Sequence, residues 1–367
     1  MAIYKLFPEC DATLYSQYSN TNTGLDEILE LTTLADVYGT DYETSRAVLK
    51  FYSDEITDII TNKISGSQYD AYLRLFLAKA SKMPTTYSVE CYPLYQSWDM
   101  GTGKYGDTPE NMSGVNWKAV GASGSSNVWI NSGFPPYITG SSISNNHGGG
   151  SWYSGSATLS LKTSQSFSYQ DSKDINIQIT NAVRLIGSGT IPNNGFIVKQ
   201  QNEFDSSSLF ELKYFSIDTH TIYPPCLEFR WKDVIYNTGS LEVITNDNVI
   251  ISLQSNKPVY NQDSITKFRI NTRNKYPTRT FVTSSQYINN KVLPYNSWWS
   301  LKDLDTNEII IDFDDTYTRL SSGTSGNYFI LYMNGLEPER YYSLLIKTEI
   351  SNNTIIIEDD YNFKVKK

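Results

Sequence analysis

The chain has 367 residues, of which 39% are hydrophobic and 19% charged, so it carries enough apolar side chain to bury a core over two domains of ordinary size. Its net charge of −9 and lack of any basic stripe argue against direct nucleic-acid binding. No run of 18 or more apolar residues offers a membrane span, and the three cysteines, Cys10, Cys91 and Cys226, form no CxxC pair, which points to reduced, buried thiols in a protein made in cytoplasm.

The start, Met1 to Pro8, has neither the apolar run nor the cleavage site of a signal peptide. Strands are expected at 46–52, 71–79 and 86–94. Between the first two, residues 54–63 place Ile56, Ile59 and Ile60 at helical spacing, with Asp54 as candidate N-cap. Residues 99–160 then lose all periodicity and fill with Gly, Ser and Asn. Trp117, Trp129, Trp152 and Tyr153 stand among them, and Asn145 to Gly150 form a breaker cluster. This stretch reads as a long insertion at one end of a sandwich. It is expected to order against a partner, and deletion of 121–150 is expected to leave the fold intact.

Periodicity returns at 174–180, where Ile175, Ile177 and Ile179 alternate onto one face. A short helix at 181–186 and strands at 195–200, 210–215 and 226–231 follow. A seam at 232–242 divides the chain into domains of 1–235 and 241–367. Beyond it, strands are expected at 248–254, 265–272, 279–284, 308–313, 326–333, 341–348 and 354–365, a count that fits an immunoglobulin-like sandwich. Asp305-Thr306-Asn307 and the stretch Asn334-Gly335 to Glu337-Pro338 mark hairpin turns. The 28 tyrosines, large apolar faces with polar tips, suit half-buried sheets and protein interfaces.

The search for chemistry returns little. His147 and His220 are the only histidines, one in a Gly/Asn tract and one in a turn-like segment, so neither is placed as a catalytic base. Asp314-Asp315 and Asp359-Asp360 read as turns and not as the separated carboxylates of a glycosidase. Asp303 to Asn307 lacks the glycine of an EF-hand loop, and Gly101-Thr102-Gly103-Lys104 lacks the spacing of a phosphate loop. No catalytic, cofactor or metal residues are assigned. No cofactor is expected, with a structural calcium ion left open. The sharper candidates are aromatic: Trp129, Trp152, Tyr153, Trp298 and Trp299 as interface residues, with one of the adjacent pair Trp298-Trp299 buried and the other exposed.

Several segments resemble the DNRLRE-type, disaggregatase-related jelly-roll domain. They are Asp11 to Tyr15 with the turn Asn22-Thr23-Gly24, Ser45 to Phe51, Ala71 to Leu75, Trp98 and Trp117, Ile177 to Thr180, Asn194 to Val198, and Pro224 to Phe229. The resemblance spans about 1–232 and departs from the family in its longer 117–160 insertion. Met1 to Pro8, Pro277 to Phe281, Lys302 to Leu304 and Asn334 to Tyr342 look like virion structural proteins of myovirus-type phages of marine bacteria. The expectation is an all-β protein: an N-terminal jelly-roll sandwich with a Gly/Ser-rich insertion, then an immunoglobulin-like sandwich. The resemblance implies a non-enzymatic tail, neck or baseplate component, located in the virion. Its partners would be other virion proteins in a symmetric, multi-copy arrangement. A carbohydrate-binding module for adsorption to host glycan and a polysaccharide-degrading enzyme are the alternatives.

Overall fold

The computed structural model describes residues 2–35, 42–64, 68–121, 127–130, 138–140, 148–154, 160–203, 209–254, 256–276 and 290–367. It is a largely all-β protein with several sheets. The chain divides into two compact units. The first comprises Leu6–Lys63 and Asp70–Glu228, the second Met1–Lys5, Ile64–Tyr69 and Phe229–Lys367. The expected seam at 232–242 thus lies inside the second unit, where Tyr236 bridges to Ser322 and donates its hydroxyl to the Leu293 carbonyl.

The N-terminal half contains β1 (Ala2–Leu6), β2 (Pro8–Tyr15), β3 (Ile28–Ala35), β4 (Tyr42–Phe51), β5 (Tyr69–Leu75), β6 (Leu77–Ser81) and β7 (Thr86–Pro93). After the short pair β8 (Ile138–Gly140) and β9 (Ser151–Tyr153) come β10 (Thr163–Ser168), β11 (Ile175–Gln178), β12 (Phe196–Gln200), β13 (Phe210–Phe215) and β14 (Cys226–Trp231). The main sheet of the first unit has eight strands in the order β10-β7-β12-β4-β3-β13-β6, with β2 also on β4, and it curls as a half-barrel. β4 is the branch point. β2 covers one edge along Ser45 to Phe51, while β3 and β12 share the other through residues 42–45 and 47–49. That position explains why Ala47, Val48 and Leu49 are all buried, an unbroken apolar run where a half-exposed strand would alternate.

Among the described residues of the first unit two α-helices interrupt the strands: α1 (Ser53–Asp58), continued by a π turn at Ile59–Lys63, and α2 (Thr180–Gly187). Ile56 and Ile59 turn inward as their spacing requires. The N-cap position is Tyr52, with no side-chain cap, so Asp54 lies in the first turn and is not the cap. Ile175, Ile177 and Ile179 are all buried, although the strand ends at Gln178. The expected strand 71–79 is two strands. β5 pairs with β11, whereas β6 pairs with β13 in the main sheet, and Leu77 donates its N–H to the Asp174 carboxylate at the crossing.

The turn at Asn22 to Gly24 is a junction for the irregular chain beyond β7. Buried Asn22 donates from Nδ2 to the carbonyls of Met100 (2.7 Å) and Val115 (2.8 Å) and accepts the Gly103 N–H at 2.7 Å. Gly24 is required for space and not for a left-handed backbone: a Cβ there would lie 2.2 Å from the Met100 carbonyl oxygen. Gly24→Val is therefore expected to lose about 1–3 kcal/mol, the usual cost of forcing extra carbon into a packed site. Chemical denaturation against wild type measures it.

The second unit contains β15 (Val249–Gln254), β16 (Val259–Asn261), β17 (Ile265–Asn274), β18 (Ser297–Asp303), β19 (Ile309–Ile311), β20 (Ser321–Gly323), β21 (Gly326–Tyr332), β22 (Tyr341–Ile350) and β23 (Asn353–Lys366). They form two sheets, β15-β17-β21-β20 and β16-β23-β22-β18-β19. Between them lies an aromatic core. Trp299 stacks on Phe329 at 4.7 Å, Phe268 stacks on Phe329 at 5.2 Å, and Phe363 and Tyr260 close on Phe268. Each such ring removes roughly 150–250 Å² from water, about 4–6 kcal/mol at ~25 cal/mol per Å².

The Asp305-Thr306-Asn307 turn joins antiparallel β18 and β19 as expected. Asp303 caps it by accepting the N–H groups of Asp305 (2.9 Å) and Thr306 (3.0 Å), and Arg340 pairs with the same carboxylate in two bonds. The stretch 334–340 is not a hairpin: β21 and β22 lie in different sheets, so the chain crosses from one to the other. Asp314 accepts the N–H groups of Thr316 and Tyr317 in the expected turn, but Asp359 and Asp360 lie within β23 at a register shift. The expected strand 279–284 and the Pro277 to Phe281 block lie outside the described residues.

Candidate functional site

The aromatic candidates turn inward. Trp129 is 1% exposed and donates its indole N–H to the Asn116 carbonyl at 2.9 Å. Trp152 is 5% exposed and packs on Tyr92. With Trp98 and Trp117 they form a hydrophobic cluster against Ala12, Leu14, Val48 and Ile197. Tyr153 is half-buried, its ring edge-on to Tyr95 at 5.2 Å. The interface expectation for Trp129 and Trp152 is therefore corrected. An indole leaves too much apolar surface for a loop of Gly and Ser to expose singly, and four of them build a private core. Deletion of 121–150 would remove Trp129 and the glycines that pack on Trp117, so it would not leave the fold intact.

Trp298 and Trp299 are 3% and 0% exposed, which corrects the expected split of one buried and one exposed. They do face opposite ways along β18. Trp299 enters the core, while Trp298 is covered by the cationic stems of Lys347 (ammonium 4.7 Å from the ring centroid) and Arg319 (5.3 Å).

The most elaborate constellation joins residues far apart in the sequence and has no local signal there. Arg46, on β4, is fully buried and forms two 2.7 Å bonds to the Glu203 carboxylate. Its third nitrogen donates to the Gly149 carbonyl, and its guanidinium lies 4.7 Å from the Trp117 ring and 5.5 Å from that of Trp152. Lys199 reaches Glu203 at 3.3 Å and Glu90 at 3.7 Å. Glu90 also pairs with Lys162 and accepts the Tyr92 hydroxyl at 2.8 Å. Gly149 has φ +78°, and a Cβ there would lie 2.5 Å from the Arg46 guanidinium, so only glycine admits the contact. Burial would raise the Glu203 carboxyl, but the Arg46 and Lys199 charges outweigh it and hold the group below the usual range. Burial lowers Lys199. The charges are satisfied by one another and by backbone, which suits clamping β4 to the tryptophan loop and leaves no free acid or base.

Asp11, buried on β2, accepts the Ile217 N–H at 2.8 Å. Burial, reinforced by Asp218, pushes its carboxyl up to about 8. The folded unit thus keeps a proton that the unfolded chain, titrating near 3.8, gives up. Stability from this group is present below that value and is lost as pH rises through about 8. Melting temperature should fall across this window, by about 2–4 °C per kcal/mol, and Asp11→Asn should flatten the fall. A wild-type melting curve already flat from pH 5 to 8 would contradict the assignment.

Among the described residues no three His, Cys, Asp or Glu side chains could hold a metal ion. His220 is exposed 4.0 Å from Glu27, and His147 lies outside the described residues. Gly101 and Gly103 pack around Asn22, not around a phosphate. Among these residues no helix is long and apolar enough to cross a membrane.

One open groove of about 530 Å³ lies on β7 and β10. Ser88 stands opposite Ser166 and Thr86 opposite Ser168, and the Ser88 and Ser166 hydroxyls meet at 2.9 Å. Gln201 and Asn202, just after β12, complete it.

No family model matches the chain, and no curated protein matches it. A crystal structure of a DUF4785 family protein from Legionella pneumophila aligns at 9% identity and a TM-score of 0.16, covering 98% of this chain and 66% of that one. A beta-glucuronidase from Parabacteroides merdae aligns at 10% identity and a TM-score of 0.16, covering 96% of this chain and 36% of that one. The chain spans less than two thirds of each protein, and at such TM-scores neither likeness carries an argument about fold or activity.

Proposed function

We propose that the chain is a non-catalytic structural component of a tailed-phage particle, at its tail, neck or baseplate, acting by docking to other virion proteins in a symmetric multi-copy arrangement. On this reading the first unit is a jelly-roll sandwich and the second an immunoglobulin-like sandwich. The observation that carries it is the fate of the strongly interacting charges. Arg46, Glu203, Lys199 and Glu90 are closed on one another inside the first unit and hold a loop, instead of facing a cleft. Sheet edges add support: β16 and β19 end their sheet and expose Val259 and Ile309, an arrangement open to strand addition by a neighbour. The particle assignment itself draws on the resemblance at both ends of the sequence.

Gradient-purified particles provide the test. Quantitative mass spectrometry should find the chain at a fixed stoichiometry to the other structural proteins through the particle peak. A chain that stays in the lysate while particles band normally overturns the proposal. The alternative, a carbohydrate-binding module, is favoured by the hydroxyl-lined groove on β7 and β10.

A further inference from the structure

We propose that the groove on β7 and β10 is a binding site for a neutral carbohydrate, with Tyr169 as the surface on which a sugar ring stacks. The inference does not depend on the particle reading, since a virion component and a free protein would bind alike.

Four observations carry it. The first is size: about 530 Å³ falls in the range of small-ligand clefts and accommodates a short saccharide. The second is chemistry. The antiparallel register sets Thr86 and Ser88 beside Ser168 and Ser166, and the groove is lined by these four together with Tyr87 and Phe167. The Thr86 hydroxyl and the Gln201 and Asn202 amides can donate and accept, and the Ser168 hydroxyl, which gives its proton to Asp171, can still accept; this neutral mixture matches a polyol.

The third is charge. Among the described residues no Lys, Arg or His lines the groove, and the nearby Lys173 ammonium is taken up by the carbonyls of its own turn, so an anionic ligand is disfavoured. The lining carboxylate Asp171 is occupied: it accepts the Ser168 N–H at 2.7 Å and the Ser168 hydroxyl at 2.8 Å.

The fourth is the rim. Tyr169 follows Ser168 and precedes Asp171, both of which line the groove, and its ring is 74% exposed. The turn that carries it is tied by Asp171 on one side. On the other, the Lys173 ammonium donates to the carbonyls of Ser168 (2.8 Å), Tyr169 (2.9 Å) and Asp171. An exposed ring on a hydrogen-bonded turn whose Ser168 and Asp171 line the groove could offer a pyranose an aromatic face for its C–H groups, with neutral partners for its hydroxyls in the groove.

The test is titration calorimetry of the full chain with gluco-, galacto- and manno-hexaoses, alongside a sulfated and a uronate oligosaccharide. At least one neutral hexaose is expected to bind at millimolar or lower concentration. Tyr169→Ala should weaken it about tenfold, the scale of one stacking contact, with melting temperature unchanged because the ring is exposed. Gln201→Ala should also weaken it, and Tyr276→Ala, which removes a ring 73% exposed in the second unit, should not. Three results would overturn the proposal: no neutral hexaose bound at ten millimolar, binding confined to the charged oligosaccharides, or binding indifferent to both Tyr169→Ala and Gln201→Ala.

Discussion

Arg46→Ala should cost the first unit about 3–5 kcal/mol, because it strands a buried carboxylate. Glu203 is 3% exposed at its side chain and holds two 2.7 Å bonds from the guanidinium. With Arg46 gone, Lys199 alone faces Glu203 at 3.3 Å, and it already shares its charge with Glu90. The loss extends to packing. The guanidinium covers parts of Trp117 and Trp152 and anchors the Gly149 carbonyl, so its removal opens the tryptophan cluster as well. Two controls separate the effects. Arg46→Lys keeps a charge but cannot make the paired bond, and should recover only part of the loss. Arg46→Met with Glu203→Gln removes both charges and should be milder than Arg46→Ala, since replacing a buried pair by neutral groups of similar volume is far cheaper than breaking it. Wild type should also lose stability in acid. The Glu203 carboxyl is held below its ordinary value, so its contribution is complete above that value and disappears as pH falls through the lowered one. Urea denaturation of the four proteins at neutral pH, and of wild type down to pH 3, measures all of this.

Trp299→Ala should be as severe in the second unit, at about 3–5 kcal/mol, the range for deleting a buried large aromatic. Its indole is fully buried and stacked 4.7 Å from Phe329, whose other neighbour is Phe268 at 5.2 Å. Both sheets contribute rings to this stack, so the cavity has rigid walls and cannot close. Trp298→Ala, one residue earlier, should cost less although Trp298 is buried too. Its cover is the flexible stems of Arg319 and Lys347, which can settle into the space. Equal losses for the two variants would show that the Trp298 cover is as rigid as the core. Loss of near-ultraviolet circular dichroism in Trp299→Ala alone would show that it is not.

How much of this could be read beforehand varied with the range of the interaction. The alternation of Ile175, Ile177 and Ile179 is a local pattern, and all three are buried as it required. The Asp305-Thr306-Asn307 turn is local as well. The stretch Asn334 to Pro338 has equally good turn residues, but turn chemistry says only that the chain reverses, not whether the next strand pairs with the last or joins another sheet. β5 and β6 fail for the same reason: seventy-one to seventy-nine is one apolar run, and only the partners β11 and β13 divide it. Gly24 was legible as a turn glycine, yet its reason is the approach of Met100, far along the sequence. The Arg46 clamp was invisible because its ion pair joins residues 157 positions apart. The tryptophans misled for a related reason. Composition marks 99–160 as irregular chain but says nothing of burial, and four indoles at long spacing meet and bury one another. The groove had no sequence signal beyond an ordinary alternation of Ser and Thr.

The proposed docking role rests on Arg46, Glu203, Lys199 and Glu90 being closed on one another. Cryo-electron microscopy of intact particles tests it most directly. Both units are expected at symmetry-related positions, with exposed edge strands such as β16 or β19 against adjoining subunits and the Arg46–Glu203 pair still closed. Particles that lack density for either unit, or a map in which that pair is open around a bound substrate, would contradict it.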